Sequence, residues 1–192
     1  TERTPFVTMA FIAACTLIFF YQASLPPKLG ETFIFQYGAI PALVFGKADL
    51  PASMSIAIPA YTTLVTSMFL HGGWMHLIGN MLYLWVFGNN VEDVMGHARY
   101  IVFYVICGVV AGLSHAITDA ASTVPMVGAS GAISGVLGAY VLLFPHAHVL
   151  VFMGFAAYLP TTKHMHLVFA WPNIWFFRRE RYGLPPRIDF EK

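Results

Sequence analysis

The sequence predicts an all-α polytopic membrane protein, because it is strongly apolar and its apolar residues gather in segments of membrane-spanning length. Of the 192 residues, 58% are hydrophobic and 10% are charged, against roughly 25% charged residues in an ordinary soluble domain. From residue 121 to residue 162 there is no Lys, Arg, Asp or Glu. A soluble globular domain is therefore excluded.

Charge and cysteine content exclude further classes of protein. The formal net charge is +1, and the aromatic residues follow the apolar stretches rather than the basic residues. This pattern excludes nucleic acid as a partner. Cys15 and Cys107 each lie in an apolar run, where a thiol behaves as a small hydrophobe, so neither a disulfide framework nor a metal site is expected.

Five or six membrane segments can be assigned from hydropathy. A helix needs ~20 residues to cross the hydrocarbon at 1.5 Å per residue, and four segments approach that length: 5–25, 61–87, 100–117 and 127–144. Two shorter candidates follow at 147–159 and 164–177, the last interrupted by Pro172. Residues 28–60 carry charges and prolines and are expected to form a structured loop near the interface.

Basic residues predict the orientation of these segments. If Arg3 and the loop with Arg99 are cytoplasmic, the second and fourth segments both begin at the outer surface. The basic C-terminal tail should also be cytoplasmic, which requires an even number of crossings.

Three polar side chains inside apolar segments are the candidates for chemistry, because lipid offers a polar group no partner. His76 and Asn80 are four residues apart and project from one face of a helix. Ser130 begins the fourth segment, at a similar depth. A serine beside two side-chain donors is the arrangement of an acyl-transfer site. The alternative is structural, since lone Ser, His and Asn residues in membranes often bond back to carbonyls or bridge helices.

Small residues line the fourth segment and predict close helix packing. They are Gly128, Gly131, Ser134, Gly135, Gly138 and Ala139.

Three motifs occur in order along the chain. They are His71-Gly72-Gly73-Trp74-Met75-His76-Leu77-Ile78-Gly79-Asn80-Met81, then Val91-Glu92-Asp93 between Gly88 and Gly96, then Gly128-Ala129-Ser130-Gly131. Together they resemble the motifs of the rhomboid family of intramembrane serine proteases, over residues 5–150. The resemblance implies a rhomboid-like helical bundle, with a membrane domain at 1–160 that is incomplete at its C-terminal end and an atypical aromatic and basic tail at 161–192.

The resemblance also implies roles for individual residues. Ser130 would be the nucleophile, and His76 and Asn80 would stabilise the oxyanion with the Ser130 amide. The active-site support would come from Gly128, Gly131 and His71, and Glu92 would fix the cytoplasmic end of the second segment by hydrogen bonding. The family cleaves transmembrane segments of client proteins within the lipid bilayer, without a metal or other cofactor. A bacterial inner membrane is the expected location.

The general base is left unassigned, because the histidine motif of the family's last helix does not occur in this sequence. His146 lies about 24 Å beyond Ser130 along a helix at 1.5 Å per residue, which is too far. His115, His164 and His166 are at a plausible depth but match no family motif.

Two alternatives to proteolysis stay open. The chain could be a catalytically inactive rhomboid-like protein that binds transmembrane clients. Residues 162–174 are also similar to a loop and helix of membrane-bound iron–sulfur reductases, and His164 and His166 would then belong to a haem or metal site.

Overall fold

This computed structural model describes residues 4–48 and 58–145. These residues contain eight α-helices. In order they are α1 (Phe6–Ser24), α2 (Pro27–Tyr37), α3 (Pro41–Val44), α4 (Thr63–Thr66), α5 (Trp74–Tyr83), α6 (Asn89–Met95), α7 (His97–Thr118) and α8 (Ser130–Leu143). Within these residues no β-strand forms, and one isolated antiparallel bridge pairs Ala39 with Met126. The helical class is therefore confirmed. The segments predicted at 147–159 and 164–177, and the tail at 161–192, lie outside the described residues.

Two of the described helices have the length and apolarity of membrane spans. α1 has 19 residues and α7 has 22, close to the segments predicted at 5–25 and 100–117. α8 is apolar but has 14 residues, because the chain is not helical before Ser130. The total of five or six spans stays a prediction.

The second predicted segment, 61–87, is wrong as one continuous helix. Residues 60–69 form short 3₁₀ and α turns, and a link at 70–73 interrupts them before α5 begins at Trp74. The paired glycines Gly72 and Gly73 explain the break, since glycine loses more backbone entropy in a helix than other residues. The helix then continues past its predicted end, through a π-helical turn (Leu84–Gly88) into α6, and ends at Gly96, which has φ +78°.

Small residues bring α8 close to α7. A Cβ atom at Gly131 would lie 2.7 Å from the Cβ of Ala111, and one at Gly135 would overlap Cys107. Gly138, by contrast, has no neighbour among the described residues within 4 Å of an added Cβ. The predicted small-residue face therefore does pack against a helix at Gly131 and Gly135, as expected where membrane helices associate through van der Waals contact.

The loop between α1 and α4 docks on the segment that leads to α8. Ala39 and Met126 exchange backbone hydrogen bonds of 3.0 and 2.7 Å, and the Ala42 amide donates to the Ser122 carbonyl at 3.0 Å. This loop contains α2 and α3, so it is more helical than the sequence indicated. Its docking holds the residues just before Ser130.

Candidate active site

Ser130 is the first residue of α8 and its side chain is exposed. The helix starts here because Gly128 has φ +121°, a conformation that residues with a Cβ rarely adopt. The Gly128 amide donates to the Ser67 carbonyl at 2.8 Å, which ties the turn to the segment before α5.

Gly128 lies directly against the two predicted oxyanion side chains. A Cβ atom at this position would come within 2.6 Å of both Cε1 and Nε2 of His76, and within 3.6 Å of Nδ2 of Asn80. The serine motif therefore packs on His76 and Asn80 through a glycine that has no side chain to separate them. The structure thus places His76 and Asn80 against Gly128, two residues before Ser130 in the turn that leads into α8.

A hydrogen bond at Nδ1 favours one tautomer of His76. The Gly72 amide donates to Nδ1 of His76 at 3.4 Å, so Nδ1 is an acceptor and the proton of the neutral ring is on Nε2. Nε2 is one of the two ring atoms next to Gly128. The ring therefore presents an N–H donor to the serine turn.

Asn80 provides a second donor at the same place. Its side chain is buried, and its Nδ2 has no hydrogen-bond partner among the described residues. A buried amide without a partner is costly, so a group that accepts from Nδ2 would bind favourably. Two N–H donors that converge beside a serine can stabilise negative charge on an oxygen.

His71 is fully buried and packs edge-on against His76, with ring centroids 5.2 Å apart. Its carbonyl accepts a hydrogen bond from Nε2 of Gln22 at 2.9 Å. Sequence reasoning did not single out Gln22. The sequence did hold a signal for it, because Gln22 is the only Asn or Gln in the apolar helix α1.

A cavity of about 670 Å³ lies beside Ser130, between α7, α8 and the segment that joins them. Its walls include Gly108, Ala111, Gly112, His115, Ser130 and Gly131. His115 therefore shares a cavity with Ser130, although no His115–Ser130 hydrogen bond occurs among the described residues. The other histidines considered as a base, His146, His164 and His166, lie outside the described residues.

Glu92 lies at the opposite end of the bundle and is fully buried. Its carboxylate accepts hydrogen bonds from the Val7 amide, the Thr8 amide and the Thr8 hydroxyl, and it contacts Nδ1 of His97 at 2.6 Å. Burial raises the pKa of this carboxyl, but the hydrogen bonds outweigh burial and leave the pKa below its ordinary value. The predicted hydrogen-bonding role of Glu92 is confirmed. No group of three or more His, Cys, Asp or Glu side chains in the described ranges is arranged for a metal ion.

The fold and this geometry define a helical membrane protein with a serine turn packed on a His and Asn pair. The sequence model of the Rhomboid domain matches residues 59–181. The chain belongs to the rhomboid family, a family of integral membrane proteins.

Individual relatives agree with this assignment. The mitochondrial Rhomboid protein 1 of Saccharomyces cerevisiae is 35% identical over 95 residues, which cover 47% of this chain and 28% of that protein. Putative rhomboid protease YdcA of Bacillus subtilis is 31% identical over 91 residues, 47% of this chain and 45% of the relative. Rhomboid protease GluP of the same organism is 32% identical over 135 residues, 70% of this chain and 24% of the relative. The chain thus spans less than half the length of each of these relatives.

Proposed function

We propose that this chain is an intramembrane serine endopeptidase that cleaves transmembrane segments of client proteins, with Ser130 as its nucleophile. The observation that carries the proposal is the close approach of the Gly128 turn to His76 and Asn80, where a Cβ atom at Gly128 would lie 2.6 Å from Nε2 of His76 and 3.6 Å from Nδ2 of Asn80. It gives the serine turn two neighbouring donors, which is the requirement for stabilising a tetrahedral intermediate. Membership of a family that contains named proteases supports the same reaction class.

The proposed reaction proceeds through an acyl-enzyme. The Ser130 hydroxyl loses its proton to a base and bonds to the carbonyl carbon of the scissile peptide, whose oxygen becomes the oxyanion. Nε2–H of His76, Nδ2–H of Asn80 and the Ser130 amide donate to that oxygen. The C–N bond then breaks, the amine leaves with a proton, and water hydrolyses the ester to a carboxylate and free Ser130. The base remains unassigned.

The substrate class follows from the surroundings of Ser130. The serine begins an apolar helix in a chain of an integral membrane family, so a client would approach through lipid as a transmembrane segment. We place the protein in a bacterial inner membrane with multiple crossings. Two of the relatives above come from a bacterium, and the basic residues fit the positive-inside pattern.

A second candidate function is client binding without cleavage. The observation that favours it concerns the general base. Among the described residues, no histidine forms a hydrogen bond with Ser130. An inactive protein would hold a client segment between α5 and α8, the helices that carry His76 and Ser130.

A fluorophosphonate probe tests the proposal on the full chain in detergent. The probe should label wild-type protein at Ser130, and Ser130→Ala should abolish both labelling and cleavage of a transmembrane reporter. Ser134→Ala is the matched control: Ser134 is an exposed serine one turn further along α8, and its hydroxyl is bonded to the Ser130 carbonyl at 2.8 Å. Absence of labelling in folded wild-type protein, with client binding that survives Ser130→Ala, would instead support the inactive alternative.

A further inference from the structure

Gln22 stands out in α1 as an amide in a helix that is otherwise suited to lipid. Its side chain is partly buried, and Nε2 donates to the carbonyl of His71, which is 49 positions away in sequence, at 2.9 Å. A polar side chain in this setting is costly unless it is hydrogen-bonded. The bond is therefore a tertiary connection between the outer end of α1 and the link before α5.

This link is held by the buried side chains of Leu70 and His71, whereas its two glycines add no side-chain contacts. It contains Gly72 and Gly73, and a Cβ atom at Gly73 would find no neighbour within 4 Å in the part of the chain that the structure describes. Helix α5 begins after it without a side-chain capping hydrogen bond. The peptide group between His71 and Gly72 has a hydrogen bond at each end, and these two bonds help to fix its orientation.

That single peptide group connects Gln22 to His76. Its carbonyl, from His71, accepts from Gln22, and its N–H, from Gly72, donates to Nδ1 of His76 at 3.4 Å. Hydrogen bonds in such a chain polarise one another in a low-dielectric interior. The donor at Gln22 thus strengthens the N–H that keeps Nδ1 an acceptor and leaves the proton on Nε2, beside Gly128.

We infer that Gln22 is a positioning residue, which acts through the peptide group between His71 and Gly72 to hold His76 as an Nε2–H donor toward the serine turn. The inference rests on the proposed function for its catalytic consequence. The tautomer itself is a property of the folded chain and can be measured without activity.

The primary test is histidine ¹⁵N NMR of the full chain, with the His76 signal assigned by its loss in His76→Ala. Wild-type protein should show a pyridine-type Nδ1 and a pyrrole-type Nε2. Gln22→Met keeps the side-chain length but removes the donor, and should shift His76 toward a mixture of tautomers. Gln22→Glu, which places an acceptor against the His71 carbonyl, should do the same if the Met variant does not fold.

Thr8→Val is the matched control, because it also removes a tertiary hydrogen bond of α1, at the other end of the helix. It should lower the unfolding temperature without changing the His76 tautomer. An Nδ1–H tautomer in wild type, or an unchanged His76 spectrum in a folded Gln22 variant, would overturn the inference.

Kinetics separate this inference from the proposed function. If wild type reacts with fluorophosphonate, Gln22→Met should lower the maximal labelling rate roughly 10-fold with little change in probe affinity, less than the ~10²–10³-fold loss that follows removal of an oxyanion donor. If Gln22→Met and the control Thr8→Val are labelled at the same rate, the positioning role of Gln22 is contradicted. If wild type is not labelled, the proposed function fails, while the NMR result still decides whether Gln22 fixes His76.

Discussion

The carboxylate of Glu92 closes the first turn of α1 through Thr8, whose amide and hydroxyl donate to one carboxylate oxygen at 2.8 and 2.7 Å. The first amides of a helix have no partner within the helix, and Pro5, which precedes α1, provides no side-chain cap. Glu92 thus supplies the missing acceptor from a different part of the chain. Its negative charge also suits the positive end of the helix dipole.

We expect Glu92→Gln to destabilise the fold by about 2 kcal/mol, because hydrogen bonds to a charged group contribute roughly 1.5–3 kcal/mol. Thr8→Val should cost less, since the two amide donors keep their acceptor. Both changes can be measured as free energies of unfolding in detergent by denaturant titration. Equal stability of Glu92→Gln and wild type would contradict the capping role.

Acid should remove the contribution of Glu92 to the stability of the fold. Its pKa in the folded protein is lower than its ordinary value, so its contribution to stability is complete above the pKa of an unfolded glutamate, about 4.3. The contribution is lost as pH falls below that value toward the folded-state pKa. Unfolding measured between neutral and acid pH should therefore show a decline in wild type that is smaller in Glu92→Gln. Parallel curves for the two proteins would exclude this linkage.

Local sequence patterns predicted much of the framework. Apolar length alone located α1 and α7 to within a few residues, and the spacing of His76 and Asn80 correctly indicated a shared helix face. Gly128 was singled out by its motif, and its φ of +121° and the lack of space for a Cβ beside His76 give the physical reason for glycine there.

Long-range contacts were harder to predict. The apolar run at 61–87 conceals the break at Gly72 and Gly73, because hydropathy does not distinguish a helix from a sequence of short turns. The bond from Gln22 to the His71 carbonyl joins residues far apart in sequence, and backbone acceptors carry no signature in the side chains. Glu92 was expected to form hydrogen bonds, but its partner Thr8 could not be identified without the packing of α1.

The paired donors beside Ser130 should each affect the chemical step. His76→Ala and Asn80→Ala should lower the fluorophosphonate labelling rate by about 10²–10³-fold, the usual effect of removing one oxyanion donor. In the double variant, the fold reduction in labelling rate should be smaller than the product of the two single reductions, because both donors act on one oxygen. Thermal unfolding of each variant checks that the fold is intact. Unchanged labelling in both single variants would remove them from the site.

Helix packing at α8 can be tested with one substitution at two positions. Gly135→Leu would force a side chain into Cys107 of α7, whereas a side chain at Gly138 meets none of the described residues within 4 Å of its Cβ. We expect the first to destabilise the bundle by at least ~1–3 kcal/mol, the usual cost of overpacking, and the second to have little effect on the described helices. The difference in free energy of unfolding between the two variants is the measurement. Equal losses would show that Gly135 does not set the distance between α7 and α8.

The contact between Gly128 and His76 gives the sharpest prediction for activity. Gly128→Ala adds a Cβ where the ring atoms of His76 would be 2.6 Å away, and it also places alanine at φ +121°. The turn must move or the ring must rotate, and either change separates the donors from Ser130. Labelling should fall by more than ~10²-fold, as for a lost oxyanion donor, while the protein stays folded. Gly138→Ala within α8 should label like wild type, and normal labelling of Gly128→Ala would show that the close approach of His76 is not required for reaction at Ser130.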